Sequence, residues 1–100
     1  MTENLFFEWD EAKRNQNIVN HGIDFVEAVS VFDDPKVSIV PDNRKEYGEE
    51  RYNAYGMSNG RCLRVCFTMR GEDNIHIISI FKVDKKEWNK HYGKWFGVEF

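Results

Sequence analysis

Cysteine is scarce in this chain. Cys62 and Cys66 are the only two in 100 residues. Two cysteines are too few for a disulfide scaffold, and a single pair four apart does not make a zinc site. Long hydrophobic runs are also missing: nothing approaches the ~20 apolar residues of a membrane-spanning helix, which excludes a helical membrane protein. Met1 to Asp10 has neither a basic start nor a cleavable apolar segment, so a cytoplasmic protein with no membrane association is expected. No glycine-rich phosphate loop is present, and Gly56, Gly60 and Gly71 read as turn or packing glycines. No Ser-His-Asp order suggests a nucleophilic triad. Repeats, linkers and low-complexity segments are absent, so a single domain over residues 1–100 is expected, with 93–100 as a short aromatic tail.

What is present argues for a folded protein. Hydrophobic residues make up 41% and charged residues 31%, and fifteen aromatics are a heavy load for this length; such a chain can bury a core and is not disordered. The net charge of −3 is unevenly placed. Residues 1–50 hold twelve Asp or Glu against five Lys or Arg, whereas residues 51–100 hold five against nine. A local basic surface is therefore expected in the second half, whatever the total charge. The acidic first half reads either as a docking surface for a basic or mixed partner segment or as a solubilising one.

Leu5 to Trp9 is a short β-rich run. Asp10 is a helix N-cap, and His21-Gly22 ends that helix with glycine at the left-handed position. Asp24 and Glu27 open a second helix whose apolar stripe is Phe25, Ala28, Val29 and Phe32, stopped by Asp33-Asp34-Pro35. Val37 to Pro41 reads as an edge strand. The second half reads as a β-meander: Glu50 to Met57, Arg61 to Arg70 and Ile75 to Val83, the first two joined by Asn59-Gly60, a strong hairpin signal. Asp84, with Glu87 three residues on, starts a last helix carrying Trp88 and Tyr92 on its inner row. The order β-α-α-β-β-β-β-α predicts an α+β fold, an antiparallel sheet with helices on one face.

Register assigns chemistry to the sheet faces, because side chains alternate across a strand. A two-residue Asn-Gly turn pairs Tyr55 with Arg64, Asn53 with Cys66 and Arg51 with Thr68. A four-residue second turn pairs Arg64 with Phe81, Cys66 with Ser79 and Phe67 with Ile78. One face then collects Tyr52, Ala54, Leu63, Val65, Phe67, Met69, Ile78 and Ile80, a core face. The other collects Arg51, Tyr55, Arg64, Thr68, Arg70 and Phe81. Arginine forks grip phosphate oxygens bidentately and aromatic faces stack single-stranded bases; the same set also reads as a solvated face. Acid–base candidates are few. His21 sits at a helix end, His76 falls on core-face parity, His91 is on an exposed helix turn, and Glu49 or Glu50 is an ion-pair partner of Arg51 or a general base. Cys66 reads as a buried small side chain rather than a nucleophile.

Phe7-Glu8-Trp9-Asp10, Lys13, Asn17, His21-Gly22, Phe25, Glu27-Ala28 and Phe32-Asp33-Asp34-Pro35 resemble the N-terminal signature of BrnT-type toxins. Glu50-Arg51, Gly56, Ile77-Ile78-Ser79, Lys82, Glu87 and Tyr92 resemble its second half. The resemblance implies a RelE-like ribonuclease fold and a bacterial endoribonuclease toxin that blocks translation by cleaving RNA without a metal or other cofactor. It implies neutralisation by a BrnA-like ribbon-helix-helix antitoxin, contact with operator DNA only through that antitoxin, and a toxin–antitoxin tetramer; a homodimer is the other small symmetric assembly considered. On that reading Arg51, Lys82, Glu50 and His76 are the candidate catalytic residues, and Arg64, Arg70, Tyr55 and Phe81 the candidate RNA-binding residues. Three positions depart from the family pattern: Asn20 stands where it has Lys, His76 where it has Arg, and Phe81 where it has Arg. The departures set a second expectation beside the first, a cleavage-deficient relative that binds the antitoxin and regulates its operon.

Overall fold

In the computed structural model, residues 5–44 and 46–92 are described. The aromatic tail with Trp95, Phe96, Val98 and Phe100 lies outside them. The described chain runs β1 (Phe6–Glu8), α1 (Glu11–His21), a 3-10 turn (Phe25–Glu27), α2 (Ala28–Asp33), β2 (Ser38–Pro41), β3 (Tyr52–Ser58), β4 (Arg61–Met69), β5 (Asn74–Lys82) and α3 (Lys85–His91). The strands form one sheet in the order β1-β5-β4-β3-β2. The fold is α+β, as the element order predicts. The sheet is mixed rather than wholly antiparallel, because β1 pairs in parallel with β5. Strands this distant in sequence are not held to the antiparallel sense a hairpin imposes.

Local chemistry explains the element ends. The Asp10 carboxylate caps α1 by accepting from the Ala12 and Lys13 amides at 2.9 and 3.2 Å. Gly22 closes the helix at φ 70°, donating its amide to Ile18 O at 2.8 Å. The β3–β4 turn places Asn59 and Gly60 at φ 52° and 78°, the doubly left-handed geometry that favours Asn-Gly in a two-residue hairpin. Tyr55 pairs with Arg64 and Asn53 with Cys66, in the register expected from the sequence.

Two helical details differ from expectation. Val29 is 42% exposed and Val31 takes its place in the core. The first turn after Asp24 is 3-10, which advances each residue by about 120° rather than 100° and rotates the buried stripe. The helices also do not share one face. α2 lies on the apolar face, where Phe25, Ala28, Val31 and Phe32 pack with Ala54, Leu63, Val65, Phe67 and Ile77. An aromatic chain runs through this layer, with Phe32 edge-on to both Phe7 (5.6 Å) and Phe67 (5.1 Å). α3 instead reaches the opposite face, where Glu87 contacts Tyr55 and Arg64. Gly56 sets the spacing of α2, since a Cβ there would stand 2.7 Å from Val31 O.

The most consequential difference lies in β5. Cys66 faces Ser79 but Phe67 faces Ile77, so Ile78 is an extra residue bulged from the ladder. Expected core residues on either side of a bulge change parity. Ile75 and Ile77 enter the core with Ile80, while Ile78 leaves it. The same shift corrects His76, which crosses from the expected core face to the polar one and lies opposite Thr68.

Candidate functional site

The polar face is organised in transverse rows. Phe81, Arg64 and Tyr55 lie side by side on β5, β4 and β3. The next row is Ser79, Cys66 and Asn53. A third row crosses the whole sheet near one end. On β1, Glu8 pairs with His76, and His76 pairs with Thr68. Tyr52 pairs with Phe67, so the ladder's continuation sets Arg51 across from Thr68. Asp42 donates its amide to Arg51 O at 2.8 Å, which completes the row on the far edge.

In the third row Arg51 is held but accessible. Its Nε donates to Glu49 at 3.1 Å, its guanidinium lies 4.1 Å over the Tyr47 ring, and its side chain is 25% exposed. Thr68 donates its hydroxyl to Glu50 O at 2.7 Å. His76 Nδ1 lies 2.8 Å from Glu8 Oε2. Adjacent strands are about 4.8 Å apart, so Arg51 and His76, each one strand away from Thr68, have backbones about 10 Å apart.

The Tyr55–Arg64–Phe81 row is different, because α3 closes on it. Glu87 accepts from Tyr55 Oη at 2.9 Å and from Arg64 Nη1 at 2.8 Å. The His91 ring stacks on Tyr55 at 4.5 Å. Tyr55 is 3% exposed, and burial, then the Glu87 carboxylate, push its hydroxyl up to about 12. The Arg64 guanidinium lies 4.6 Å over Phe81, whose other contact is the edge of His21 at 4.6 Å. Arg64 Nε and Asn53 Oδ1 are buried without a hydrogen-bond partner among the described residues.

Of the residues singled out from the sequence, the structure therefore brings Arg51 and His76 into one row and Tyr55, Arg64 and Phe81 into another on the same face. It does not bring Glu50 or Lys82 to either. Glu50 accepts from Tyr52 Oη at 3.1 Å, and Tyr52 packs on the core side. Lys82 alternates with Phe81 and lies opposite core Leu63, exposed at the strand end. Arg70 is exposed just beyond β4. Cys66 is buried, and burial raises its thiol above the ordinary range, as expected of a packing residue. Among the described residues no group of three or more His, Cys, Asp or Glu is placed to hold a metal ion.

Sequence reasoning missed Glu8, Glu87 and the contacts of His21. The Glu8 contact depends on parallel pairing of β1 with β5, which no local signal marks. A polar cleft of about 240 Å³ was also invisible; Lys13, Gln16, Asn20 and His21 of α1 line it with Ile78 and Ser79 of β5. Asn17, at the base of the cleft, ties α1 to β5 there, donating to Ile23 O and Ile80 O and accepting from the Ile80 amide at 2.9, 3.1 and 3.1 Å.

Fold and face define a class of small α+β protein: a mixed five-stranded sheet backed by a short helix on its apolar side and presenting arginine, histidine and aromatic rows on the other. Comparison with known proteins agrees and is more specific. The family model described as ribonuclease toxin, BrnT, of type II toxin-antitoxin system matches residues 9–87. Among solved structures, the Brucella abortus ribonuclease toxin BrnT is similar at a TM-score of 0.66 and 28% identity, over 81% of this chain and 99% of that one. No curated protein matches. The chain belongs to the BrnT family of ribonuclease toxins of type II toxin–antitoxin systems, and membership implies an antitoxin partner. No helix among the described residues is long and apolar enough to cross a membrane.

Proposed function

We propose that this protein is a metal-independent endoribonuclease that blocks translation, with the Arg51–Thr68–His76 row as its reaction centre. Family membership supplies the class of activity, and the observation that supports the site is that His76 lies opposite Thr68, with Arg51 on the other side of Thr68 by continuation of the β3–β4 register. RNA carries its own nucleophile, the 2′-hydroxyl. Cleavage through that hydroxyl needs proton transfer and a cation on the charged phosphorus centre. Arg51 supplies the fixed cation for the phosphate. His76 is the proton acceptor of this row.

Arg64, Tyr55 and Phe81 form the binding extension of this centre, with Arg70 at the strand end. In the closed arrangement Glu87 and His91 occupy Arg64 and Tyr55, so RNA gains that row only when α3 lifts from it. The antitoxin partner is BrnA-like, and operator DNA is reached only through it. The protein is a single cytoplasmic domain, assembling with its antitoxin as a tetramer.

The test is incubation of antitoxin-free protein with RNA and with a translating extract, in the presence and absence of EDTA. The expected result is cleavage unaffected by EDTA, leaving a 2′,3′-cyclic phosphate and a 5′-hydroxyl, with translation blocked. RNA and translation left intact remove the proposal. A second reading, a cleavage-deficient relative that binds the antitoxin and regulates its operon, is favoured by one observation: the neutral Phe81 and Asn20 stand by the Arg64 row and the cleft, where the family pattern has cations. Unchanged growth on expression alone, with antitoxin binding intact, selects it.

A further inference from the structure

We propose that Glu8 is a positioning residue that fixes the tautomer of His76 and so makes its outer nitrogen, Nε2, the proton acceptor of the reaction. The inference rests on the ribonuclease reading above and adds a residue to it. Glu8 belongs to the short edge strand β1, and its side chain is 46% exposed, whereas that of His76 is 20% exposed. Glu8 Oε2 lies 2.8 Å from His76 Nδ1. A carboxylate can only accept, so the proton between them belongs to Nδ1. A neutral imidazole holds a single ring proton, and with that proton on Nδ1 the lone pair lies on Nε2. Among the described residues Nε2 has no hydrogen-bond partner.

Nothing else in the geometry demands the contact. β1 is already attached to β5 by its backbone pairing over Phe6, Phe7 and Glu8, and Phe7 anchors it in the core against Phe32. The bulge at Ile78 is what turns His76 to this face, and bulges commonly re-aim a side chain beside a site. The pair has the logic by which a carboxylate orients a catalytic histidine, here with the carboxylate at the solvent-exposed edge of the sheet.

In the step proposed, the 2′-oxygen bonds to phosphorus while its proton passes to His76 Nε2, and the bond from phosphorus to the 5′-oxygen breaks. The leaving oxygen takes a proton from solvent water, and the imidazolium returns its proton to water afterwards. Atoms and charge balance without any further reactant.

Two measurements on the full chain test this. The first reads the tautomer without activity, from the ring ¹⁵N chemical shifts of His76 in the neutral form. The expected result is an Nδ1–H ring in the parent protein and a shift toward the Nε2–H ring in Glu8→Ala. An Nε2–H ring in the parent overturns the assignment. The second is a double-mutant cycle in single-turnover RNA cleavage. His76→Gln is expected to lower the maximal rate roughly 10²–10⁴-fold. Glu8→Ala should lower it roughly ten- to a hundredfold, with the concentration for half-maximal rate unchanged, and should add nothing in the His76→Gln background. Glu8→Asp should recover part of the loss. Glu8→Leu, which keeps the bulk and removes the acceptor, serves where Glu8→Ala alters folding. Losses that multiply, or a Glu8→Leu protein as fast as its parent, overturn the inference alone. A parent protein that cleaves no RNA overturns the ribonuclease reading instead, and the tautomer measurement still judges the placement of Glu8.

Discussion

The two faces of the sheet are built to opposite rules. On one, apolar side chains close-pack under α2, and the approach is tight enough that only a hydrogen fits at position 56. On the other, arginines, histidines and hydroxyls sit in rows joined by polar contacts, such as Glu87 with Arg64 and Glu8 with His76. The first arrangement secures the fold; on the reading proposed above, the second binds and cleaves RNA.

If that division of labour holds, substitutions on the two faces should separate activity from stability. The largest expected effect is that of Arg51→Ala. Removing one fixed cation from a charged transition state costs roughly 10²–10³ in rate, about 3–4 kcal/mol. Arg51 is 25% exposed and, among the described residues, pairs with Glu49 and the Tyr47 ring, so the melting temperature should hardly move. A large loss of thermal stability with normal cleavage per folded molecule would collapse the contrast. Gly56→Ala should do the reverse. The added methyl meets the Val31 backbone oxygen at 2.7 Å and Val31 Cγ1 at 3.0 Å, and overpacking of this kind costs about 1–3 kcal/mol. For a domain of this size that lowers the melting temperature by roughly 4–8 °C per kcal/mol, while the cleavage rate of the folded fraction stays as in the parent.

The same division decides how much could be read from the sequence. The apolar face was legible on β3 and β4, because the Asn59-Gly60 turn fixes their register and a two-residue period does the rest; on β5 and α2 it was not, since Ile78 and Val29 were expected inside where Ile75, Ile77 and Val31 pack. The caps at Asp10, Gly22 and Asp84 were legible from residue type alone. Two events on the polar face were not. The Ile78 bulge reverses the parity of everything before it in β5, and a run of Ile75, Ile77, Ile78 and Ile80 carries no sign of which isoleucine is extra. Parallel pairing of β1 joins residues far apart in sequence, so neither the Glu8–His76 contact nor the full third row could be assembled. The arginine rows were found because Arg51 and Arg64 hang on the one register a turn dictates.

The edge of the polar face offers a smaller effect. The Asp42 side chain is 1% exposed and paired with Arg44 at 2.8 Å, while Arg44 is 60% exposed. The guanidinium holds the Asp42 carboxyl down to about 2. A carboxyl depressed in the folded state stabilises fully above its unfolded value, near 4, and that contribution is lost as the pH falls through about 2. Water around Arg44 screens the pair, so Asp42→Asn should cost about 1 kcal/mol at neutral pH. The gap between variant and parent should close on acidification from about pH 4 to 2. A gap that persists at acid pH means the loss comes from packing rather than charge.

The finest division lies within the polar face, between the accessible Arg51 row and the Arg64 row under α3. Glu87 holds Arg64 with a carboxylate oxygen at 2.8 Å, close to where a phosphate oxygen would bind. Glu87→Gln keeps an oxygen to accept from Arg64 and Tyr55 but removes the competing charge. The helix cap is unaffected, because Asp84 accepts from the backbone amide of residue 87 at 2.7 Å. The pair is partly exposed at 18% and 28%, so the stability change should stay within about 1 kcal/mol. What should move is the ionic-strength dependence of RNA binding. Each phosphate contact to single-stranded RNA adds about 0.7 to the slope of log affinity against log salt. An Arg64 released to a phosphate should therefore steepen that slope by about 0.7 and tighten binding at low salt. Gain of that contact without gain in cleavage rate would place Arg64 in binding and leave the chemistry to the Arg51 row. An unchanged slope would make the Arg64 row a structural seat for α3, and the polar face would then carry one functional row rather than two.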